Sequence, residues 1–396
     1  MGTVLFAWEL GGGLGHLMQI KPLAQGLRSR GHRVVVAMKH LSRADSVLGR
    51  EGVLFLQSPV KNLPEPRPIQ PPAIFAHLLH NVGYSSEREL WTLSEAWRNL
   101  YDFIKPDLIV FDHAPTALLA ARGFHARKVV IGSGFCIPVD QSPLPNLRPW
   151  IKADPWQLRV DEQAVLDRMN QVLIERKQPP LDRITRMYAE VDETLLLTYR
   201  ELDHYPWRKD GRYCGAWTNN PGQAPEWPKG SGRRIYAYLK DFPAASELLG
   251  ALKELGNPAI VLVDGISRAI QDQYRCENIA YQTEPLDMQA VGKECDLGIL
   301  NAGHGTTAAM LLAGRAILQL PIYLEQAMLA NATRRMGAAQ CASTKDGPAV
   351  ARKLHEMLGA DRYAEAARAF AAKQAGYDPP RRNEQMLARL ESLIAA

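Results

Sequence analysis

A chain of 396 residues with 46% apolar and 22% charged side chains is a globular protein with enough length for two hydrophobic cores, since one core stops growing near ~250–300 residues. The formal net charge of +5 allows contact with an anionic ligand or an anionic membrane surface. It gives no sign of nucleic-acid binding, and no RRM, zinc-finger or basic-arm pattern accompanies it.

The five cysteines, Cys136, Cys214, Cys276, Cys295 and Cys341, are an odd number with no C-x-x-C pair. This argues against a zinc site or disulfide framework and fits a reducing cytoplasm. The N-terminus has no basic n-region or cleavage site. No apolar run approaches the roughly 18 residues of a membrane span, so a cytoplasmic protein, soluble or at most peripheral, is expected.

The first apolar run, Val4–Trp8, has a strand's length and enters "ELGGGLGH". A helix with apolar positions Ile20, Leu23, Ala24 and Leu27 follows, ended by "RGH", and Val34–Met38 is the next strand. The Pro-rich stretch 58–72 reads as a mobile loop. "PDLIVFD", introduced by Pro106 and closing on Asp112, reads as a buried strand, followed by "KVVIGS" and, near residue 195, "ETLLLTYREL". Residues 214–232, rich in Pro, Gly and Asn, break the pattern as a linker does.

Beyond it the alternation restarts with "RIYAYL", a helix over "AASELLGALKEL", then "AIVLVDG", "DLGILNAG" and "AILQLP", and the chain closes on an amphipathic helix, "NEQMLARLESLIAA". Strands alternating with helices imply βαβ units and a parallel sheet in each half, an α/β fold. The expected division is a first domain over 1–215, a linker over 216–232, a second domain over 233–375 and a terminal helix over 376–396 packing back toward the first domain. Two such halves on a flexible linker suggest a ligand cleft.

Glycines after a first strand raise the dinucleotide-binding fingerprint, and the spacing refuses it. From Gly11 the third glycine of G-x-G-x-x-G falls on His16, from Gly13 on Met18, and from Gly12 the second falls on Leu14. The acidic residue expected after the second strand is absent; Met38, Lys39 and His40 stand there. His16 instead lies at the C-terminal edge of strand 1, where open α/β sheets bind ligands. A histidine titrates near neutral pH and can accept a proton, and Asp112, ending a neighbouring strand, is placed to orient it. Taken alone, a capping or packed histidine beside a loop carboxylate accounts for the same residues.

The second half holds "CDLGILNAGHGTTAAMLLAGRAILQLPIYLEQAMLANA". A strand enters a turn with Gly303, His304 and Gly305, then Thr306, Thr307 and a helix. Amides, hydroxyls and the positive helix end converge there, as an anion site requires. Pro321 leads to "YLEQ", where Glu325 and Gln326 offer acceptor and donor groups suited to sugar hydroxyls.

Both halves together resemble the GT-B glycosyltransferases: two Rossmann-like domains facing each other across a cleft. "GGGLGH…LAQGLRSRGHRV" is similar to that family's Gly-rich turn, and the second motif to its nucleotide-sugar signature, H-G-G-x-G-T through A-A-G-x-P to P-x-x-x-[DE]-Q-x-x-N-A. The resemblance extends to the UDP-glycosyltransferase (GT1-like) branch and to the MurG-like branch, which glycosylates lipid carriers. It covers most of the chain and is specific because several spacings agree.

The resemblance implies an inverting, metal-independent hexosyltransferase that moves a sugar from a nucleoside diphosphate, UDP or dTDP, to a hydroxyl of a small-molecule or lipid-like acceptor. The nucleotide sugar is a co-substrate, and no cofactor or metal is implied; no convincing D-x-D occurs. His16 would be the base and Asp112 its orienting carboxylate. Gly13 and Gly15 would let the loop pass close to the donor, the Gly303, His304, Gly305, Thr306 and Thr307 turn would hold the diphosphate, and Glu325 and Gln326 would grip the sugar.

The sequence departs from the pattern at several places. The family's motif histidine falls on Asn301, with His304 in the variable position, and either could contact the diphosphate. Ala309 replaces the glutamate that binds ribose. "YLKDFP" replaces a Gly-Ser, offering Lys240 as a phosphate contact. Gln19 stands where a proline is expected and Pro22 comes later, so the helix is expected to begin near Lys21 with His16 in a longer loop.

Trp91 and Trp97 are read as core or acceptor-pocket aromatics; a basic, apolar patch on the first domain would mark a lipid-carrier enzyme. Two other functions fit the same architecture: a non-catalytic sugar-nucleotide-binding partner protein, or a sugar-nucleotide epimerase.

Overall fold

The computed structural model describes residues 1–42, 44–49, 52–218 and 222–395. They form two compact units. The first comprises residues 1–198, 207–215 and 378–396, and the second residues 199–206 and 216–377.

The first unit is built on strands β1 (Thr3–Trp8), β2 (Arg33–Met38), β3 (Val53–Gln57), β4 (Leu108–Asp112), β5 (Arg127–Gly132), β6 (Glu193–Leu196) and β7 (Arg212–Tyr213). All pair in parallel in the order β3-β2-β1-β4-β5-β6-β7. Its helices are α1 (Gly15–Ser29), α2 (Ala44–Leu48), α3 (Phe75–Leu79), α4 (Glu87–Ile104), α5 (Pro115–Ala120), α6 (Pro155–Glu175) and α7 (Arg186–Ala189). Val4–Trp8 and Leu108–Phe111 are almost fully buried. Continuous apolar runs of this kind suit a parallel sheet covered on both faces.

The second unit repeats the plan with β8 (Ile235–Lys240), β9 (Ala259–Asp264), β10 (Ile279–Gln282), β11 (Leu297–Leu300), β12 (Ala316–Gln319) and β13 (Ala339–Cys341), in the order β10-β9-β8-β11-β12-β13. Around them lie α8 (Ala245–Leu255), α9 (Arg268–Gln273), α10 (Met288–Glu294), α11 (His304–Leu312), α12 (Leu324–Arg335), α13 (Gly347–Leu358) and α14 (Arg362–Lys373). In both sheets the order reverses beside the first strand, between β1 and β4 and between β8 and β11. Ligands of open α/β sheets bind outside the strand ends at such reversals.

One expectation is corrected at the site itself. The helix after the glycines does not begin near Lys21: α1 starts at Gly15, carries His16 as its second residue and holds Pro22 in its interior. Leu17, Ile20, Leu23, Ala24 and Leu27 form its buried stripe. Burying leucine and isoleucine side chains stabilises by about 1.5–3 kcal/mol each, and four of them outweigh the roughly 3 kcal/mol an interior proline costs.

The Pro-rich stretch 58–72 is held in place. Asn81 donates to Ile69 O and accepts from Ile69 N, His80 meets Arg67 O, and the Ser85 hydroxyl donates to Glu65. Of the segment expected to be a linker, residues 219–221 lie outside the described residues. Its neighbours bond within the second unit: Gln223 N donates to Pro285 O, Asp287 N to Gln223 O, and Trp227 Nε1 to Glu294.

The last helix, α15 (Pro379–Ile394), belongs to the first unit. Arg30, the C-cap of α1, bonds Glu384 and Glu391, and Leu387 lies against Gly26. Trp97 on α4 is fully buried in the core, while Trp91 is 39% exposed. All five cysteines are free, and no helix among the described residues is long and apolar enough to cross a membrane.

Candidate active site

Strand register brings the first group together. Trp8, the last residue of β1, pairs with Asp112, the last of β4. The Gly-rich turn then returns the chain so that His16 Nδ1 lies 3.0 Å from Asp112 Oδ2. The Asp112 side chain is 1% exposed and that of His16 is 14% exposed. A carboxylate only accepts, so Nδ1 carries the proton and Nε2 the lone pair. That is the tautomer a general base needs.

The turn is braced from several strands. Trp8 Nε1 donates to Leu10 O at 2.6 Å, Leu10 N to His113 O at 3.0 Å, Lys39 Nζ to Gly11 O at 3.0 Å and the Ser58 hydroxyl to Trp8 O at 2.6 Å. Gly11 (φ +80°) and Gly13 (φ +78°) take left-handed conformations that favour glycine. His16 stacks with two rings: Trp8, with centroids 5.1 Å apart at 22°, and His113, at 6.0 Å and 26°. His113 is buried with a left-handed backbone, φ +47°, and its Nε2 has no hydrogen-bond partner. Burial, with the charges of His16 and Lys39, pushes its imidazole down to about 3, so it is neutral at physiological pH.

Glu9 escaped the sequence reading. It is 2% exposed and accepts from Thr116 N (3.0 Å) and Ala117 N at the start of α5. Burial pushes its carboxyl up to about 8 against the pull of those amides. The available signal was a carboxylate wedged between an apolar strand and three glycines. A small cavity of about 40 Å³ beside it is lined by Glu9, Leu10, Lys39, Pro59, Lys61 and Thr116 among others.

In the second unit the turn after β11 opens α11. Gly303 is the N-cap of this nine-residue helix, and no side chain caps it, so its first amides form the positive end of the dipole. Asn301, buried at 6% exposure, ties strand ends together: Oδ1 accepts from Lys240 N at 2.6 Å and Nδ2 donates to Leu320 O at 2.8 Å. Asn301 is therefore a brace across β8, β11 and β12.

Thr307 turns its hydroxyl into the core, where it is fully buried with no hydrogen-bond partner, while Thr306 is half-buried. His304, the first residue of α11, stacks on His204 at 6.5 Å and 23°. Burial pushes its imidazole down to about 4, against the opposing Asp203 carboxylate. Gly305 is exposed, with Trp217 O nearby.

Glu325 is the second residue of α12 and half-buried. Gln326 Oε1 is committed to the start of that helix, accepting from Ile322 N at 2.8 Å and Tyr323 N at 3.2 Å. Lys240 ends β8 beside Asn301. Among the described residues no three His, Cys, Asp or Glu side chains converge to hold a metal ion.

No family model matches this sequence, and no curated protein sequence matches it. Solved structures match along the whole chain. CalG4, the calicheamicin glycosyltransferase, is similar with a TM-score of 0.72 at 16% identity over 98% of each chain. The spinosyn rhamnosyltransferase SpnG gives 0.67 at 18% identity over 100% of each chain. SsfS6, a glycosyltransferase of Streptomyces sp. SF2575 solved with thymidine diphosphate, gives 0.65 at 18% identity over 99% of this chain and 100% of the other. Two parallel sheets of seven and six strands, each with the same reversal of order, give this chain the two-domain, Rossmann-like GT-B fold.

Proposed function

We propose that the chain is an inverting, metal-independent glycosyltransferase that moves a sugar from a nucleoside diphosphate, dTDP or UDP, to a hydroxyl of a small-molecule or lipid-like acceptor. The His16–Asp112 contact of 3.0 Å carries the reading. A packed histidine would not need a buried carboxylate on Nδ1 and a lone pair on Nε2 at a strand-order reversal. The fold shared with solved glycosyltransferases supports it, and SsfS6 bound to thymidine diphosphate makes dTDP the first donor nucleotide to test.

In this reading the acceptor O–H proton passes to His16 Nε2 while its oxygen forms a bond to the anomeric carbon from the face opposite the diphosphate. The anomeric C–O bond breaks, its electron pair leaves with the nucleoside diphosphate, and configuration inverts. Asp112 stabilises the imidazolium. The amides of Gly303–Thr306 stabilise charge on the leaving diphosphate, which supplies without a metal what a divalent cation supplies elsewhere. His304, being neutral, would add a hydrogen bond rather than a charge. No resident cofactor takes part.

Calorimetric titration of the full chain in EDTA against UDP, dTDP, GDP and CDP tests the donor half. Saturable binding of dTDP or UDP, weakened by Thr306→Val, is expected; binding of none would overturn the reading.

A further inference from the structure

We propose that Trp8 is a positioning residue whose indole face holds the His16 ring and stabilises its protonated form, with His113 stacked on the same ring. The inference rests on His16 being the base. The two rings lie nearly parallel, 5.1 Å apart at 22°, so the negative face of the indole is turned to the imidazole. A neutral ring gains only stacking from this arrangement. An imidazolium gains a cation–π attraction as well, strongest with tryptophan and stronger when water is excluded.

The indole is fixed before any proton moves. Trp8 is 1% exposed, its N–H is tied to Leu10 O and its carbonyl to the Ser58 hydroxyl. Little ordering is left to occur during reaction.

The second ring stacked with His16 belongs to a residue that carries local costs. His113 combines a left-handed φ of +47° with a buried ring nitrogen lacking a hydrogen-bond partner, two features that each destabilise a fold. Both occur at a ring stacked with His16. Because His113 stays neutral, it packs against His16 without repelling the imidazolium, as a second charged ring would.

The charges that face this group come from three strand ends. Asp112 on β4 favours the protonated form of His16 directly. Lys39, just past β2, disfavours a proton on the adjacent His113 ring, and His40 meets Trp8 edge-on at 6.0 Å. The indole face is the neutral contribution that tips this balance toward the protonated ring.

The test is an NMR titration of the His16 imidazole in the full-length protein, assigned by loss of its signal in His16→Gln. Trp8→Leu is expected to lower the His16 midpoint by about half to one pH unit, and Trp8→Phe by less. A second measurement covers the case in which these variants do not fold. Incorporation of 5-fluoro- and then 5,6-difluorotryptophan drains the ring's negative face without changing its fit, and the midpoint is expected to fall stepwise.

A midpoint unmoved by fluorination, or by a folded Trp8→Leu, overturns the proposal. The titration needs no substrate. Failure of the transferase reading would appear as absent nucleotide binding or turnover, and failure of the stack as an unmoved midpoint.

Discussion

A Cβ placed on Gly11 would stand 2.4 Å from Nε2 of His16, on a backbone whose φ is +80°. The glycine is therefore required twice, once for its conformation and once for the room it leaves the base. Gly11→Ala must displace the imidazole, and a displacement near 1 Å costs about 10²-fold in rate. Turnover is expected to fall by that order with nucleotide affinity unchanged. Steady-state kinetics beside calorimetry on the same variant checks the split.

Asp112→Asn keeps the shape of the dyad and removes its charge. An amide can donate to Nδ1 and so hold the opposite tautomer, the change that costs about 10⁴-fold in a Ser-His-Asp triad. Turnover is expected to drop by about 10²–10⁴-fold with the far-ultraviolet circular dichroism spectrum unaltered. Kinetics on the folded variant decides it.

Glu9 gives the fold a pH dependence. Its carboxyl titrates at about 8 folded against an ordinary 4.5, so between those values the native chain holds a proton the unfolded chain has released. Stability from this group is full below pH 4.5, declines as pH rises toward about 8 and is level beyond. Glu9→Gln keeps an acceptor for the α5 amides and cannot ionise. Urea midpoints from about pH 5 to about pH 8 are expected to slope downward in the natural protein and to lose that slope in Glu9→Gln.

Thr306 and Thr307 look equivalent in the sequence, and the structure separates them. The Thr307 hydroxyl is a buried orphan, so Thr307→Val is expected to leave nucleotide affinity unchanged and the protein as stable or more so. Thr306→Val is expected to weaken binding of dTDP or UDP severalfold, by about 1 kcal/mol for one hydrogen bond. Calorimetry and thermal melting of both variants side by side test the assignment.

Asn301 argues the same way against reading a motif by position alone. Placing there the histidine of the motif the sequence resembles would remove an amide that accepts from Lys240 N and donates to Leu320 O. Asn301→His is therefore expected to lower the melting temperature without tightening nucleotide binding. A gain in affinity would contradict the bracing role.

These residues mark where the sequence was legible. The His16–Asp112 pair could be read because strand ends and their order are set by apolar runs that survive as patterns. The start of α1 could not, since a proline rule was outweighed by five buried side chains further along the helix. The long helix α4 did carry a signal: Ser86 accepts from Glu89 N in an S-x-x-E pattern, and Leu90, Trp97, Tyr101 and Ile104 form its buried stripe. Glu9, the Asn301 brace and the inward Thr307 depend on which way a side chain points after a turn, which spacing does not encode.

The most direct measurement of the central claim is sugar transfer in EDTA from dTDP- and UDP-hexoses to a panel of hydroxyl acceptors, followed by anomeric proton NMR of the product. The account predicts a product of inverted configuration, with formation lost in His16→Ala. Retained configuration, or undiminished transfer by His16→Ala, would contradict it.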